Sequence, residues 1–323
     1  MPPPFRAASG DRRRTGTSAT TSVPRIGHAT LTSGSRLSLQ SGNGNKTSKR
    51  VIRMQSAIST RIVLRERLQP SLLDSILALR PAAIEIFAAR QHFDYTDREH
   101  IAEIAAWFAA HNLTPWALHA PQFPDREMGR AGAPAVNLLH PEKSRRIDAM
   151  DEVKRALESA DQLHFAHLVV ELGERGDSWS PRTLENALTA LEHLDAFARP
   201  LGVRLLAKNG MNEPSQPERL VEILAIGHLT RVGIALDLGH AHATCGIAAA
   251  FAATRGHLAS LRAHDNHGFR DEHLWPGKGS LDWPQLRASA SAADAANLPC
   301  FLDLPNAGLI PPADFAAFTS LIA

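Results

Sequence analysis

The chain has 323 residues, 44% of them hydrophobic and 21% charged, enough to bury a full core as two ordinary domains or as one large α/β barrel. No apolar run approaches the roughly 18–20 residues of a membrane span, and two cysteines, Cys245 and Cys300, cannot build a disulfide framework, so a soluble chain in the reducing cytoplasm is expected. The net charge of +2 hides an asymmetry: residues 1–53 hold ten Lys/Arg and one acidic residue, leaving 25 basic against 32 acidic for 54–323, so the basic balance belongs to the tail and is no nucleic-acid signal for the body.

Taken in chain order, the tail ("DRRRTGTSATTSVPR", "SGNGNKTSKR") has no hydrophobic period and is expected to be disordered over 1–56. It lacks the apolar segment of a secretory signal; its Arg/Ser-rich, acid-poor makeup permits a transit peptide, and a true start at Met54 is the other reading. From 57 to 323, short β-branched runs alternate with amphipathic stretches, the pattern of βα units around a parallel sheet. Eight runs read as strands, at 58–64, 82–87, 114–119, 166–171, 202–207, 232–237, 257–264 and 298–304. Between them, helices are predicted over stretches such as 97–112, 144–163 and 180–202, where apolar residues recur at three and four. The last opens with a Ser cap followed by Pro and stops at Gly202. One (β/α)8 TIM barrel over 57–323 is therefore expected; a doubly wound sheet is the rival, but no Gly-rich phosphate loop follows any strand.

What closes each strand is informative. Glu85 lies in the second, His119 ends the third, Glu171 the fourth and Lys208-Asn209 the fifth. Asp237, with His240 and His242 after it, closes the sixth; His264-Asp265-Asn266 closes the seventh, and Asp303 lies in the eighth. A barrel gathers these ends on one face. So many His and carboxylate groups there are hard to explain as structure alone, because each would need a buried partner. The donor set suits Zn²⁺, Mn²⁺ or Co²⁺, and the absence of Cys argues against a structural zinc cage.

The stretches "LHAP" (118–121), "VGIALDLGHAHATCG" (232–246) and "LRAHDNHGFRDEHLWPGKGSLDW" (261–283) resemble motifs of the xylose-isomerase-like barrel superfamily, which contains sugar and sugar-phosphate isomerases and epimerases and the zinc-dependent abasic-site endonucleases. The resemblance implies a divalent metal between two glutamates, an aspartate and a histidine, the glutamates moving a proton beside a carbonyl while the metal stabilises the enediolate. Carried over, Asp237 and His264 match the aspartate and histidine, Asp303 falls where one glutamate would be, and Lys208 falls on the other. Further ligands of members with more metals correspond to His119, His240, Asp271 and His273, while Glu171 stands where His is usual.

A lysine in place of a bridging carboxylate leaves three outcomes. The metal at Asp237, His264 and Asp303 is lost and Lys208 takes its place, pairing with the two carboxylates Asp237 and Asp303; or the lysine turns away and the metal stays; or a lysine with lowered pKa serves as base or Schiff-base nucleophile. Asp303, Lys208 and Glu171 are the catalytic candidates, with Glu171 a possible ion-pair partner of Lys208. Glu85, Asn209, His242, Asn266, Trp275 and Arg145 are candidates for substrate binding. Glu213 is weighed as a substitute ligand, Arg146 as a phosphate contact beside Arg145, and Phe87 and Trp116 as pocket walls. The expected activity is a metal-dependent sugar or sugar-phosphate isomerase or epimerase on a small carbohydrate. The alternatives are a phosphodiester hydrolase of the abasic-site type, against which the acidic body counts, and a catalytically degenerate sugar-binding barrel.

Overall fold

A computed structural model describes residues 53–124 and 134–323; residues 1–52 of the basic tail, with their expected disorder or processing, lie outside the described residues. Met54, however, is buried in the core, and Gln55 and Ser56 already belong to the first strand, so the barrel starts before the expected boundary at 57. In chain order the elements are β1 (Gln55–Ser59), α1 (Pro70–Leu77), β2 (Ile84–Phe87), α2 (Arg98–Ala110), β3 (Ala117–His119), α3 (Lys143–Glu158), β4 (His167–Val170) and α4 (Pro181–Ala198). They continue with β5 (Arg204–Lys208), α5 (Pro217–Ile226), β6 (Gly233–Asp237), α6 (Leu238–Ala243), α7 (Ile247–Thr254), β7 (Leu258–Ala263), α8 (Trp283–Ala292), β8 (Pro299–Leu302) and α9 (Pro312–Ile322). All neighbouring strands are parallel, and pairing of β1 with β8 closes the barrel. Among the described residues no helix is long and apolar enough to cross a membrane.

Local chemistry explains the element ends. Ser180 caps α4 in a capping box with Thr183, and Pro181 takes the first helical position, where its missing N–H costs nothing. Asp237 caps α6, its carboxylate accepting from the His240 N–H at 2.9 Å. The run expected as one strand over 58–64 is divided: β1 ends at Ser59 and a 3-10 turn covers Thr60–Val63. There the Ser59 Oγ accepts from the Arg61 N–H at 3.4 Å and the Thr60 Oγ1 from the Phe87 N–H at 3.0 Å, so side chains replace ladder bonds.

Strand alternation sorts the barrel into two sets. Ile58, Ile86, Leu118, Leu168, Leu205, Leu236, Leu261 and Leu302 face the helices and join the main apolar core. The opposite parity faces inward, where Ala117, Val169, Leu206 and Ala235 form an apolar plug at the amino-terminal end, with Trp116 packed against it. Two residues on along the same strands come His119, Glu171, Lys208 and Asp237, so the polar residues sit one layer above the plug. A register shift between β6 and β7 brings Asp237 opposite Arg262. Arg262 and His264 thereby share the inward parity.

Candidate metal centre and its charge network

Three imidazoles converge on one carboxylate at the carboxyl end of the barrel. The Nε2 atoms of His240, His273 and His264 lie 3.2, 3.3 and 3.8 Å from the oxygens of Asp271, and one donor atom from each of the four residues falls within 4.8 Å of all the others. His240 and His264 follow from the ends of β6 and β7. Asp271 and His273 come from the loop after β7, which the Asp265 carboxylate organises by accepting from the backbone N–H groups of Gly277 and Leu281 and from the Trp283 indole. His273 is held there at φ 47°, in the left-handed region that non-glycine residues seldom enter.

The hydrogen bonding of this cluster suits a divalent ion. His240 Nδ1 faces the Asn209 carbonyl at 3.0 Å and His273 Nδ1 faces the Asp303 carbonyl at 3.0 Å. Each Nδ1–H then donates to a backbone oxygen, and each Nε2 lone pair points at the shared centre, the usual outer support of a metal-binding histidine. Burial pushes the His240 pKa down, but Asp237 and Asp271 outweigh it and hold it above the ordinary value. Burial likewise opposes ionisation of Asp271, yet His240 and His273 hold its carboxyl far below the usual range. A proton and a cation therefore compete for the same nitrogens. His264 differs, because its Nε2 is already 2.9 Å from Asp237 Oδ1 while its Nδ1 is buried without a partner. Its Nε2 can join the ligand set only by giving up that bond.

The His264 ring lies so close to Gly239 that a β-carbon there would overlap it. Gly239→Ala is expected to cost about 1–3 kcal/mol through forced displacement of the ring and to weaken metal uptake. Unchanged thermal unfolding and unchanged metal content would show that the ring has room to move.

The neighbouring position, between the ends of β5, β6 and β8, does not suit a metal. Lys208 is 1% exposed, and its ammonium lies 2.8 Å from Glu171 Oε1 and 3.3 Å from Asp237 Oδ2. Burial works against that charge, but Glu171, Asp237 and Asp303 outweigh it and raise the lysine pKa, so the low-pKa base or Schiff-base lysine finds no support. Glu171 is correspondingly held well below the usual carboxylate range: burial opposes, while Lys208 and His119 prevail. Asp303 does not reach the cluster with its side chain. It is clamped by Arg61 Nη1 at 2.9 Å and Arg262 Nη1 at 3.4 Å, which overcome burial and keep it ionised. Arg262 also forks onto Glu85, with both side chains fully enclosed.

A cavity of about 470 Å³ opens above this network, lined among others by Arg61, His119, Glu171, Lys208, His240 and Asp271. His119 stacks on Phe87 at 4.6 Å and sits 3.5 Å from Glu171 rather than in the four-residue cluster. Glu85, Asn209, His242, Asn266, Trp275 and Arg145, expected to touch substrate, are not among the residues that line this cavity. Glu85 is sealed beneath the cavity by Arg262 and the Ser59 hydroxyl. Asn209 bridges β5 to β6, its Oδ1 accepting from the Asp237 N–H at 2.6 Å and its Nδ2 donating to the Asp237 carbonyl at 2.9 Å. Asn266 donates to the Gly239 carbonyl at 2.8 Å, and His242 lies 3.0 Å from the Ser280 hydroxyl. Trp275 packs on the core, Trp116 stacks on His167 at the opposite end of the barrel, and Glu213 accepts from the Trp179 N–H at 2.8 Å. Arg145 pairs with Glu142 at 3.3 Å on an exposed helix and lines a separate hollow beside His140 and Asp148, while Arg146 donates to the His140 carbonyl.

Arg61 and Arg262 are the site residues that sequence reasoning missed. For Arg262 the available signal was parity, two residues before His264 at the end of β7; Arg61 lies in the 3-10 turn after β1, where strand parity gives no signal.

Comparison with known proteins agrees with this architecture. A crystal structure of a D-tagatose 3-epimerase-like protein superposes with a TM-score of 0.66 at 20% identity, covering 83% of this chain and 96% of that one. The IolI protein with a bound zinc atom gives 0.64 at 17% identity, covering 83% and 97%; at such identities the likeness concerns the fold. An uncharacterized protein of Methanocaldococcus jannaschii is 29% identical over 145 residues, and the chain spans about half of that relative's length (49%, against 42% of its own). A probable endonuclease 4 of Natronomonas pharaonis is 28% identical over 212 residues, 59% of this chain and 70% of that protein. The family model for the xylose isomerase-like TIM barrel matches residues 82–317, most of the chain. The chain therefore belongs to the xylose isomerase-like TIM barrel family.

Proposed function

We propose that this barrel is a divalent-metal-dependent isomerase of a small carbohydrate or sugar phosphate, working with one metal and one carboxylate base. The convergence of His240, Asp271 and His273 beside the Lys208–Glu171 ion pair carries the reading. Those three residues, joined by His264, would hold Zn²⁺, Mn²⁺ or Co²⁺. When bound, the ion supplies Lewis-acid polarisation of a carbonyl and positive charge beside the resulting enediolate. Glu171 keeps part of its side chain open to the cavity, 30% exposed, which places its carboxylate to take a proton from the carbon next to that carbonyl. Lys208 keeps the carboxylate ionised and adds a fixed positive charge. Asp303, bound by two arginines, is in no position to act as a second base. A single base on one face suits proton transfer between adjacent carbons better than exchange between opposite faces.

The test is solvent exchange. Metal-loaded full-length protein incubated with aldose and ketose pairs in D2O is expected to introduce deuterium at the carbon beside the carbonyl. Glu171→Gln should slow this by about 10²-fold or more, and Asp271→Asn should lower metal content measured on the purified protein. A second reading is favoured by the probable endonuclease 4 relative: cleavage of abasic-site DNA without any sugar exchange would replace the isomerase with a phosphodiester hydrolase. Ligand-induced stabilisation with neither activity would indicate a sugar-binding barrel.

A further inference from the structure

Arg61 stands in the wall of the cavity, yet the charge network does not use all of its hydrogen-bonding capacity. Its Nη1 donates to Asp303 at 2.9 Å, while its Nε–H is buried without an acceptor. The side chain is 10% exposed, the guanidinium lies over the Phe87 ring at 5.3 Å, and the residue borders the cavity. Its backbone is fixed as well: the N–H donates to Ser59 Oγ, and the carbonyl accepts from the Leu64 and Asn306 N–H groups at 3.2 and 3.1 Å. The guanidinium is thus held in place before any ligand arrives.

The other two cations of the network are committed differently. Arg262 is fully enclosed and forks onto Glu85. The Lys208 ammonium is taken by Glu171 and Asp237. Asp303 has Arg262 as a second partner, so Arg61 can share its charge with another anion without leaving that carboxylate alone. A neutral polyol gives a buried guanidinium only weak acceptors, whereas a carboxylate or phosphate matches its planar fork with two parallel charge-assisted bonds.

We infer that Arg61 is an anion-binding, specificity-determining residue of this cavity, and that the physiological ligand is a small carbohydrate bearing a carboxylate or phosphate group. Asp303 connects this position to the metal cluster, its side chain held by Arg61 and its backbone carbonyl facing His273 Nδ1 at 3.0 Å. The anionic group and the carbonyl end of one small molecule can therefore be held together. The inference rests on the cavity being the ligand site, as in the proposed function, but not on the reaction performed there.

The experiment is calorimetric binding of matched pairs to metal-loaded full-length protein: glucose against glucuronate, and ribulose against ribulose 5-phosphate. At least one anionic member is expected to bind about 10- to 100-fold more tightly than its neutral partner. The carboxylate and phosphate arms tell the two anions apart. Arg61→Leu should abolish the preference, with neutral-sugar affinity and metal content unchanged, and Arg61→Lys should restore part of it by keeping charge without the fork. Equal binding within both pairs, or a preference that persists in Arg61→Leu, would overturn the inference. If Arg61→Leu does not fold, Arg61→Lys decides: a preference reduced from the parent's supports the inference, and one equal to the parent's overturns it. A preference that depends on Arg61 in a protein without solvent exchange would sink the isomerase reading and leave this one standing.

Discussion

Arg262→Leu is expected to destabilise the barrel by about 3–5 kcal/mol, the cost of leaving a buried charge without its partner. Glu85 and Arg262 are both fully enclosed, and their forked pairing, with the Ser59 hydroxyl at 2.8 Å, is what compensates the Glu85 carboxylate for leaving water. Without the guanidinium that carboxylate keeps one hydroxyl donor and must either remain charged in an apolar surrounding or take up a proton. Asp303 loses less, because Arg61 remains bonded to it. The measurement is the shift in urea midpoint, with the slope checked so that a change in stability is not mistaken for a change in the unfolded state. Adding Glu85→Leu to the same chain should recover much of the loss, since removing both partners is far less costly than removing one. A single variant within about 1 kcal/mol of the parent would mean that Glu85 tolerates burial alone and that the pair is not a structural element.

Lys208→Glu is expected to act in opposite directions with and without metal. The ammonium bridges Glu171 and Asp237, so the substitution sets a third carboxylate against two others at a few ångströms. Each like-charge contact there costs several kcal/mol even at an effective dielectric of about 20. The metal-free variant should melt well below the parent, and added Zn²⁺ or Mn²⁺ should restore it by mass action on the native state. Elemental analysis should find one more metal per chain than in the parent, because the new carboxylate joins Asp237 at a position that the lysine occupies. Equal metal content in parent and variant, with no metal-dependent recovery, would refute the view of Lys208 as a resident cation. Lys208→Met serves as control: it removes the cation without adding a ligand, so it should destabilise without raising metal content.

These two results concern a network of which the sequence displays only one side. The eight βα units, their parallel closure and the gathering of His119, Glu171, Lys208, Asp237 and His264 at one end follow from period-two strands, amphipathic helices and the parity of inward positions. Asp271 and His273 enter as candidate ligands only through the family resemblance; both lie in the loop after β7. Partnership across the barrel is a different matter. That Lys208 turns to Glu171 and Asp237 instead of Asp303, and that Asp303 is held between Arg61 and Arg262, depends on the stagger of β5, β6, β7 and β8 and on the turn that ends β1. The same holds for Trp275, which side-chain type alone would place equally well in a pocket wall or in the core where it packs. Residue types and their spacing along the chain therefore determined which groups reach this face of the barrel. Only the tertiary structure decided which of them touch, because ion pairing and metal fit change over a few ångströms, and those distances are set by strand register and rotamer rather than by position in the chain.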